Sequence, residues 1–317
     1  MARLQNPHYR DRVNRVLDHI GGNLTGDLSL GRLADIGCFS TFHFHRIFQG
    51  VTGETLNQHV RRVRLERAAL LLRASPQKRV TDAALETGFA GTSEFSRAFK
   101  SHFGHTASSW DRKSPLDVSK ISTVPAFMKY LSEEELRSWK AEHKDVKVLE
   151  RQFNAFRYVY NRTFEPRACS NHLVEKYHAL IGWLKQRGTD VRDVVIIGMS
   201  QDDPAITPTQ NYRYDLGVAF LQEPGSRKSK AAMPSRSECD AHGFSFRDFE
   251  PRPIVSIHCV GDLGHVANAW QFLYRIWLPD HPTVEPADLP AMEMYVRLPE
   301  EIGWETFDLQ ACIPLVS

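Results

Sequence analysis

The sequence predicts a multidomain protein: an all-α front part of two helix-turn-helix units, then an α+β part of two strand-helix-strand-strand repeats. Three observations predict it. First, "STFHFHRIFQGVTG" from Ser40 is echoed 51 residues later by "GTSEFSRAFKSHFG" from Gly91; Thr41 matches Thr92, Phe44 matches Phe95, Arg46 matches Arg97, Phe48 matches Phe99 and Gly53 matches Gly104. Second, beyond Val146 the hydrophobic pattern changes to short strands around two helices, in an order that recurs. Third, charge divides along the chain: residues 1–120 carry 18 Lys and Arg against 11 Asp and Glu, a net +7, while the remainder carries 22 against 27, a net −5. A basic part joined to an acidic one points to a polyanion-binding module attached to a unit with another task.

Bulk composition excludes wholesale disorder, since 42% of residues are apolar and 25% charged. Cys38, Cys169, Cys239, Cys259 and Cys312 show no CxxC spacing, so reduced thiols are expected. "MARLQNPHYRDRV" lacks an apolar signal core, and no run approaches the ~20 apolar residues of a membrane span. The expected location is the cytoplasm, with no membrane contact.

In the front part, Tyr9, Val13, Leu17 and Ile20 have helical spacing, with Pro7 at the start and Gly21-Gly22 as the stop. A short helix over residues 31–36 is expected next, then a turn at Gly37-Cys38-Phe39. Ser40 is placed to cap the first repeated helix, and Gly53 to close it. Residues 55–73 lack Pro and Gly and predict a long helix with Leu56, Val60, Val63 and Leu70 on its inner stripe, roughly 28 Å long. In the second copy Thr81 is expected to cap a short helix, Gly88-Phe89 to turn the chain, and the second repeated helix to run from Gly91 or Thr92 to Gly104.

Phe44 and Phe48 fall on one side of the first repeated helix, and Phe95, Phe99 and Phe103 on one side of the second. The opposite side carries Phe42, His45, Arg46 and Gln49 in the first copy, and Ser93, Ser96, Arg97 and Lys100 in the second. A short helix, a tight turn and a second helix presenting Arg and hydrogen-bonding groups is the helix-turn-helix layout, whose second helix lies in the DNA major groove. The helix between the copies makes sense of their separation. Two reading heads about one DNA turn apart, roughly 34 Å, enter successive major grooves on one face of a duplex. Arg61, Arg79, Lys100 and Lys113 are candidates for phosphate contact.

Residues 8–113 resemble the DNA-binding domain of the AraC/XylS family of transcription regulators, most specifically through "GF…FSRAFK..FG". The resemblance implies base contacts from Phe42, His45 and Arg46 in the first head and from Thr92, Ser93 and Arg97 in the second. Two departures affect reading. Phe42 offers only an apolar contact, suited to a thymine methyl, with packing inside the domain as the alternative. Thr92 and Ser93 are short, so the second head is expected to read few bases. Ala107 replaces the Pro usual after the final "FG".

Residues 111–145 read as a linker holding one short helix, with Ser132 and Glu135 in capping-box relation. The domain boundaries expected are 1–113, 114–145 and 146–317. In the last of these, "FRYVYNRTF" reads as a strand and "SNHLVEKYHALIGWLKQRG" as a helix with Leu173, Tyr177, Leu180 and Leu184 inward. Strands "DVVIIGMS" and "NYRYDLGVAF" follow. The order then recurs as strand "PIVSIHCVG", helix "GHVANAWQFLYRIWL", strand "AMEMYVRL" and strand "WETFDLQACIPLV". Residues 222–243 between the repeats read as a polar loop.

From Val146 onward the chain resembles the GyrI-like effector-binding domain through "VKVLERQFNAFRYVY", "DDPAITPTQNYRYDLGVAF", "AWQFLYRIWLP", "AMEMYVRLP" and "ACIPL". That resemblance implies one sheet made of both repeats, with a ligand cleft at their pseudo-twofold axis. Glu293 lies between Met292 and Met294 in an apolar strand, where an acid needs a cation or a hydrogen-bond donor. The family's pocket glutamate occupies the matching position. Tyr295, Trp270 and Tyr214 could supply aromatic faces for a lipophilic, cationic effector. A salt bridge from Glu293 to Arg213 or Arg157 is the structural alternative, as is a helix-core role for Trp270 and Trp277.

These readings describe a one-component, ligand-responsive transcription regulator. Its partners are promoter DNA, a small-molecule effector and RNA polymerase, and a monomer or a dimer fits. It is expected to be no enzyme. The alternative is a C-terminal hydrolase, with Glu293 and Tyr295 activating water, or a protein-interaction module. No metal or cofactor is expected: His43 and His45 point about 200° apart on a helix, and His102 with His105 lacks a third ligand in sequence.

Overall fold

The computed structural model describes residues 7–75, 77–110, 131–143, 146–164, 170–203, 206–221 and 231–316. The chain divides into two units, Met1–Lys120 with Ala205–Thr207, and Ile121–Pro204 with Pro208–Ser317.

Among the described residues of the first unit there are six helices: α1 (Pro7–Gly22), α2 (Leu30–Ile36), α3 (Thr41–Thr52), α4 (Leu56–Ala74), α5 (Val80–Glu86) and α6 (Thr92–Phe103). Apolar residues at 3.6-residue spacing on α1 and α3 converge on one core, where Val13, Val16, Leu17, Ile20, Leu33, Phe44 and Phe48 are buried. A second core gathers Leu65, Ala69 and Leu72 of α4 with Ala83, Ala84, Phe89, Phe95 and Phe99. The two repeated helices end alike, on Gly53 at φ 84° and Gly104 at φ 77°, the left-handed geometry that glycine adopts without steric cost. The turns of the two helix-turn-helix copies are also alike. Gly88 takes φ 86° before buried Phe89, and Cys38 takes φ 53° before Phe39.

Four local expectations change. The inner stripe of α4 is Leu56, His59, Arg62, Leu65, Ala69 and Leu72, while Val60, Val63 and Leu70 are half-buried. Polar residues fill part of that stripe because Glu54 accepts from His59 Nδ1 at 2.7 Å and from Arg62 Nη2 at 2.5 Å, and Arg62 also binds Glu66 at 2.9 Å. α5 begins after Arg79, which pairs with Asp82, rather than at Thr81. Ser40 occupies the N-cap position of α3 but its hydroxyl bonds the His43 ring at 3.0 Å instead of a helix amide. α1 runs through Gly22.

The described residues of the second unit form an eight-stranded antiparallel sheet with helices packed on it. Its strands are β1 (Val148–Phe153), β2 (Phe156–Phe164), β3 (Val195–Ser200), β4 (Arg213–Leu221), β5 (Ser245–Phe249), β6 (Arg252–Gly261), β7 (Ala291–Tyr295) and β8 (Phe307–Pro314). Its helices are α7 (Glu133–Glu142), α8 (Ser170–Gln186), α9 (Arg236–Ala241), α10 (Leu263–Phe272), α11 (Leu278–Asp280) and α12 (Pro299–Ile302). The spatial order β1-β6-β8-β7-β3-β4-β2-β5 reads the same from either end when the repeats β2-α8-β3-β4 and β6-α10-β7-β8 are exchanged. The centre of that pseudo-symmetry is the β3–β7 pair, with Gly198 opposite Glu293.

Strands β1 and β5 complete the edges. Each immediately precedes the first strand of one repeat and pairs with the first strand of the other, β1 on β6 and β5 on β2. Residues 222–243 are not wholly loop, because Ser235 and Glu238 form a capping box that starts α9; residues 222–230 lie outside the described ones. The short helix expected in the linker is α7, capped by Ser132 and Glu135. Its Leu136 and Trp139 are buried in a core with Val266 and Phe272 of α10 and with Val255, Ile257, Leu309 and Ala311. On the same face of the sheet, α8 packs Tyr177, Leu180, Trp183 and Leu184 over Val159, Ile196, Val218 and Phe220. The opposite face buries Tyr158, Tyr160, Ile197, Met199 and Met292, and also the ion pair Arg162–Asp215 at 2.7 Å.

Candidate functional sites

Burial of Phe44 and Phe48 on one side of α3, and of Phe95, Ala98 and Phe99 on one side of α6, turns the other sides to solvent. Phe42, His45, Arg46 and Gln49 are all exposed on α3, as are Thr92, Ser93, Ser96, Arg97 and Lys100 on α6. Phe42 is 77% exposed, so the inward-packing alternative for it does not hold. Among the described residues Arg46, Arg97 and Lys100 make no ion pair, leaving their charges available. Of the phosphate candidates, Arg61 is exposed, Arg79 is held by Asp82 at 2.9 Å, and Lys113 lies outside the described residues.

In the second unit Glu293 points to the helix-bearing face of the sheet, where it is half-buried. Neither Arg213 nor Arg157 reaches it, since Arg213 is bound to Asp202 at 2.6 Å and Arg157 to Asp248 at 2.7 Å. Its partners are neutral donors instead. The Tyr214 hydroxyl donates to Glu293 Oε2 at 2.6 Å, and Trp270 Nε1 donates to Oε1 at 3.1 Å. β7 positions the acid, β4 the tyrosine and α10 the tryptophan, so elements of both repeats converge on it. Tyr295, two residues along β7 on the same face, borders the group about 7 Å away along the strand. Trp277 is buried in the core, whereas Trp270 is half-buried and stacks on Tyr274 at 6.0 Å.

Burial raises the Glu293 carboxyl above the ordinary range, and the hydrogen bonds from Tyr214 and Trp270 offset part of that rise. Burial, then the Glu293 charge, pushes the Tyr214 hydroxyl well up, so it stays a donor. Among the described residues no cation pairs with this carboxylate, and its partners are the aromatic donors Tyr214 and Trp270. Such a site is suited to a lipophilic cation.

One residue of this site escaped the sequence reading. A Cβ on Gly198 would lie 1.7 Å from the Tyr214 hydroxyl and 3.3 Å from Glu293 Oε2. Only a glycine lets Tyr214 cross β3 to reach the acid. The available signal was a lone glycine inside the apolar strand "VVIIGMS", which marks close approach of another group.

Comparison with known proteins matches these two parts separately. Residues 33–113 match a helix-turn-helix domain, and residues 147–316 match the GyrI-like small molecule binding domain. The chain is 32% identical over 102 residues to the transcriptional regulator Rob of Salmonella typhimurium, covering 32% of this chain and 35% of that protein. It is 33% identical over 103 residues to the right origin-binding protein of Escherichia coli K12, with the same two shares. It is 33% identical over 92 residues to the transcriptional activator AarP of Providencia stuartii, covering 29% and 67%. The chain thus spans about a third of the length of the first two relatives. Among solved structures, an uncharacterized conserved protein from Listeria innocua aligns at 9% identity and a TM-score of 0.39, covering 56% of this chain and 98% of that one. The C-terminal domain of the response regulator AraT from Geobacillus stearothermophilus aligns at 20% identity and a TM-score of 0.30, covering 39% and 95%. Since the second family match spans just over half of the chain, the protein belongs to the GyrI-like small molecule binding family, and it carries a helix-turn-helix domain of the AraC type ahead of that domain.

Proposed function

We propose that this chain is a ligand-responsive, sequence-specific transcription regulator acting on RNA polymerase at promoters. Helices α3 and α6 enter successive major grooves on one face of the duplex. Arg46 and Arg97 bond guanine edges, with His45, Gln49, Thr92, Ser93, Ser96 and Lys100 completing the base and phosphate contacts. The effector is a small lipophilic cation. Its charge meets Glu293, and Tyr214, Trp270 and Tyr295 offer aromatic faces.

One observation supports this reading above the rest: the repeated helices bury matching phenylalanines and leave matching arginines exposed and unpaired. The 19 residues of α4 between the two helix-turn-helix copies extend about 28 Å, of the order of one helical turn of DNA. Ligand control requires that the effector bind two states of the protein with different affinity. The test is binding-site selection from random duplexes, with and without lipophilic cations such as tetraphenylphosphonium. A bipartite site with its halves about one turn apart, and occupancy altered by the cation, is expected. Recovery of no preferred site would overturn the DNA reading, and indifference to every cation would overturn the effector reading.

A further inference from the structure

The Glu293 site has a counterpart at α12. The Tyr177 hydroxyl of α8 donates to Glu300 Oε2, and the Trp304 ring stands edge-on to Tyr177 at 90° with centroids 5.3 Å apart. Glu293, Tyr214 and Trp270 are the same three residue types. In both groups a carboxylate and an indole from the second repeat meet a tyrosine from the first. Gly303 ends α12 at φ 87°, a backbone angle open to glycine, and leads directly into Trp304.

The two groups share one apolar wall. Tyr177 lies in the same cluster as Tyr214 and Tyr295, with Leu298 packed against it. Tyr177 is 2% exposed, and burial followed by the bond to Glu300 raises its hydroxyl well above the ordinary range, so it stays a donor. Glu300 and Trp304, by contrast, are exposed. Among the described residues no cation pairs with Glu300, and Arg297, three residues before it, is bound to Asp308. An acid held by a neutral donor keeps its charge for another partner, and the open face of an indole attracts cations.

We infer that Glu300, Tyr177 and Trp304 form a second cation subsite beside Glu293, and that the effector is a lipophilic dication whose two charges are joined by an apolar spacer. This rests on the effector reading above and adds a second charge to it. Tyr295 and Leu298, between the two acids in sequence, offer the spacer an apolar track. The acids are seven residues apart, so the spacer has at most about 25 Å to cross. An exposed carboxylate and an exposed indole each hold a free cation weakly, but a tethered charge meets them at high effective concentration.

The experiment uses the full chain and fluorescence titration with matched probes of graded length. Each dication is an alkane with triphenylphosphonium at both ends. Its matched monocation carries triphenylphosphonium at one end and the neutral, equally bulky triphenylmethyl group at the other. Over one range of lengths the dication should bind roughly tenfold more tightly than its match. Glu300→Gln and Trp304→Ala should each reduce that ratio several-fold, whereas Glu293→Gln should weaken both probes. Both substituted side chains at the second subsite are exposed, so neither change opens the core. The inference is overturned if no dication outbinds its match, or if the ratio is unaltered in Glu300→Gln and Trp304→Ala. Failure of every probe to bind, or monocation binding that Glu293→Gln leaves unchanged, would instead overturn the effector reading on which it stands.

Discussion

Gly198 pairs directly with Glu293 across the centre of the sheet, and the Tyr214 hydroxyl fills the space where a side chain at 198 would begin. The substitution Gly198→Ala places a Cβ 1.7 Å from that hydroxyl and must displace it. Loss of a hydrogen bond to a charged group costs about 1.5–3 kcal/mol. Affinity for a lipophilic cation, followed by fluorescence titration, should therefore fall at least about tenfold. Unchanged affinity would show that Tyr214 has no part in presenting the acid.

Glu293 also sets a pH dependence. Its carboxyl lies above the ordinary value of 4.5 because burial penalises the charge, with Tyr214 and Trp270 opposing. Between 4.5 and the raised value the folded chain holds a proton that the unfolded chain has lost. Stability without ligand therefore falls as pH rises through that window. A bound cation favours the ionised acid, so cation affinity should rise over the same window with release of a proton. Calorimetry in buffers of different ionisation heat measures that proton, and Glu293→Gln should abolish it.

The network on α4 predicts the opposite sign. Burial alone would raise Glu54, but hydrogen bonds from His59 and Arg62, with their charges, bring it down to about 2. The difference from 4.5 is on the order of 3 kcal/mol at 1.36 kcal/mol per pH unit. That stability is present above pH 4.5 and lost as pH falls towards 2. Glu54→Gln should destabilise the first unit by about 3 kcal/mol at neutral pH, since it leaves Arg62 short of a partner. Urea unfolding across pH should show the gap closing as the wild-type carboxyl protonates.

Cys38 holds the left-handed turn conformation that Gly88 holds in the second helix-turn-helix copy. For a residue with a Cβ that conformation costs roughly 1–2 kcal/mol, part of which glycine returns through the entropy of its unfolded chain. Cys38→Gly should stabilise the protein by up to about 1 kcal/mol, seen as a higher midpoint in urea. Destabilisation would mean that the thiol contributes packing that outweighs the strain.

Much of this architecture was legible because hydrophobic spacing is local. The periodicity of Phe44 and Phe48, and of Phe95 and Phe99, marked the buried sides of α3 and α6, and β2 runs over the nine residues read as a strand. What was not legible depends on distant partners. β1 exposes Glu150 and Arg151 as an edge strand, and its pairing with β6 spans about a hundred residues, so no alternation announced it. The stripe of α4 is hidden from spacing alone because His59 and Arg62 are buried only by virtue of Glu54. Glu293 stood out as an acid among apolar residues, but its donors come from β4 and α10, and Gly198 matters only once Tyr214 is seen to cross it.

The most direct test of the two-headed reading is quantitative binding of Arg46→Ala and Arg97→Ala to the selected duplex and to variants mutated in either half. Each substitution should weaken specific binding by about 1–3 kcal/mol and relax sequence preference only in its own half. If both variants keep the affinity and the full base preference of the unaltered protein, the exposed faces of α3 and α6 do not read DNA.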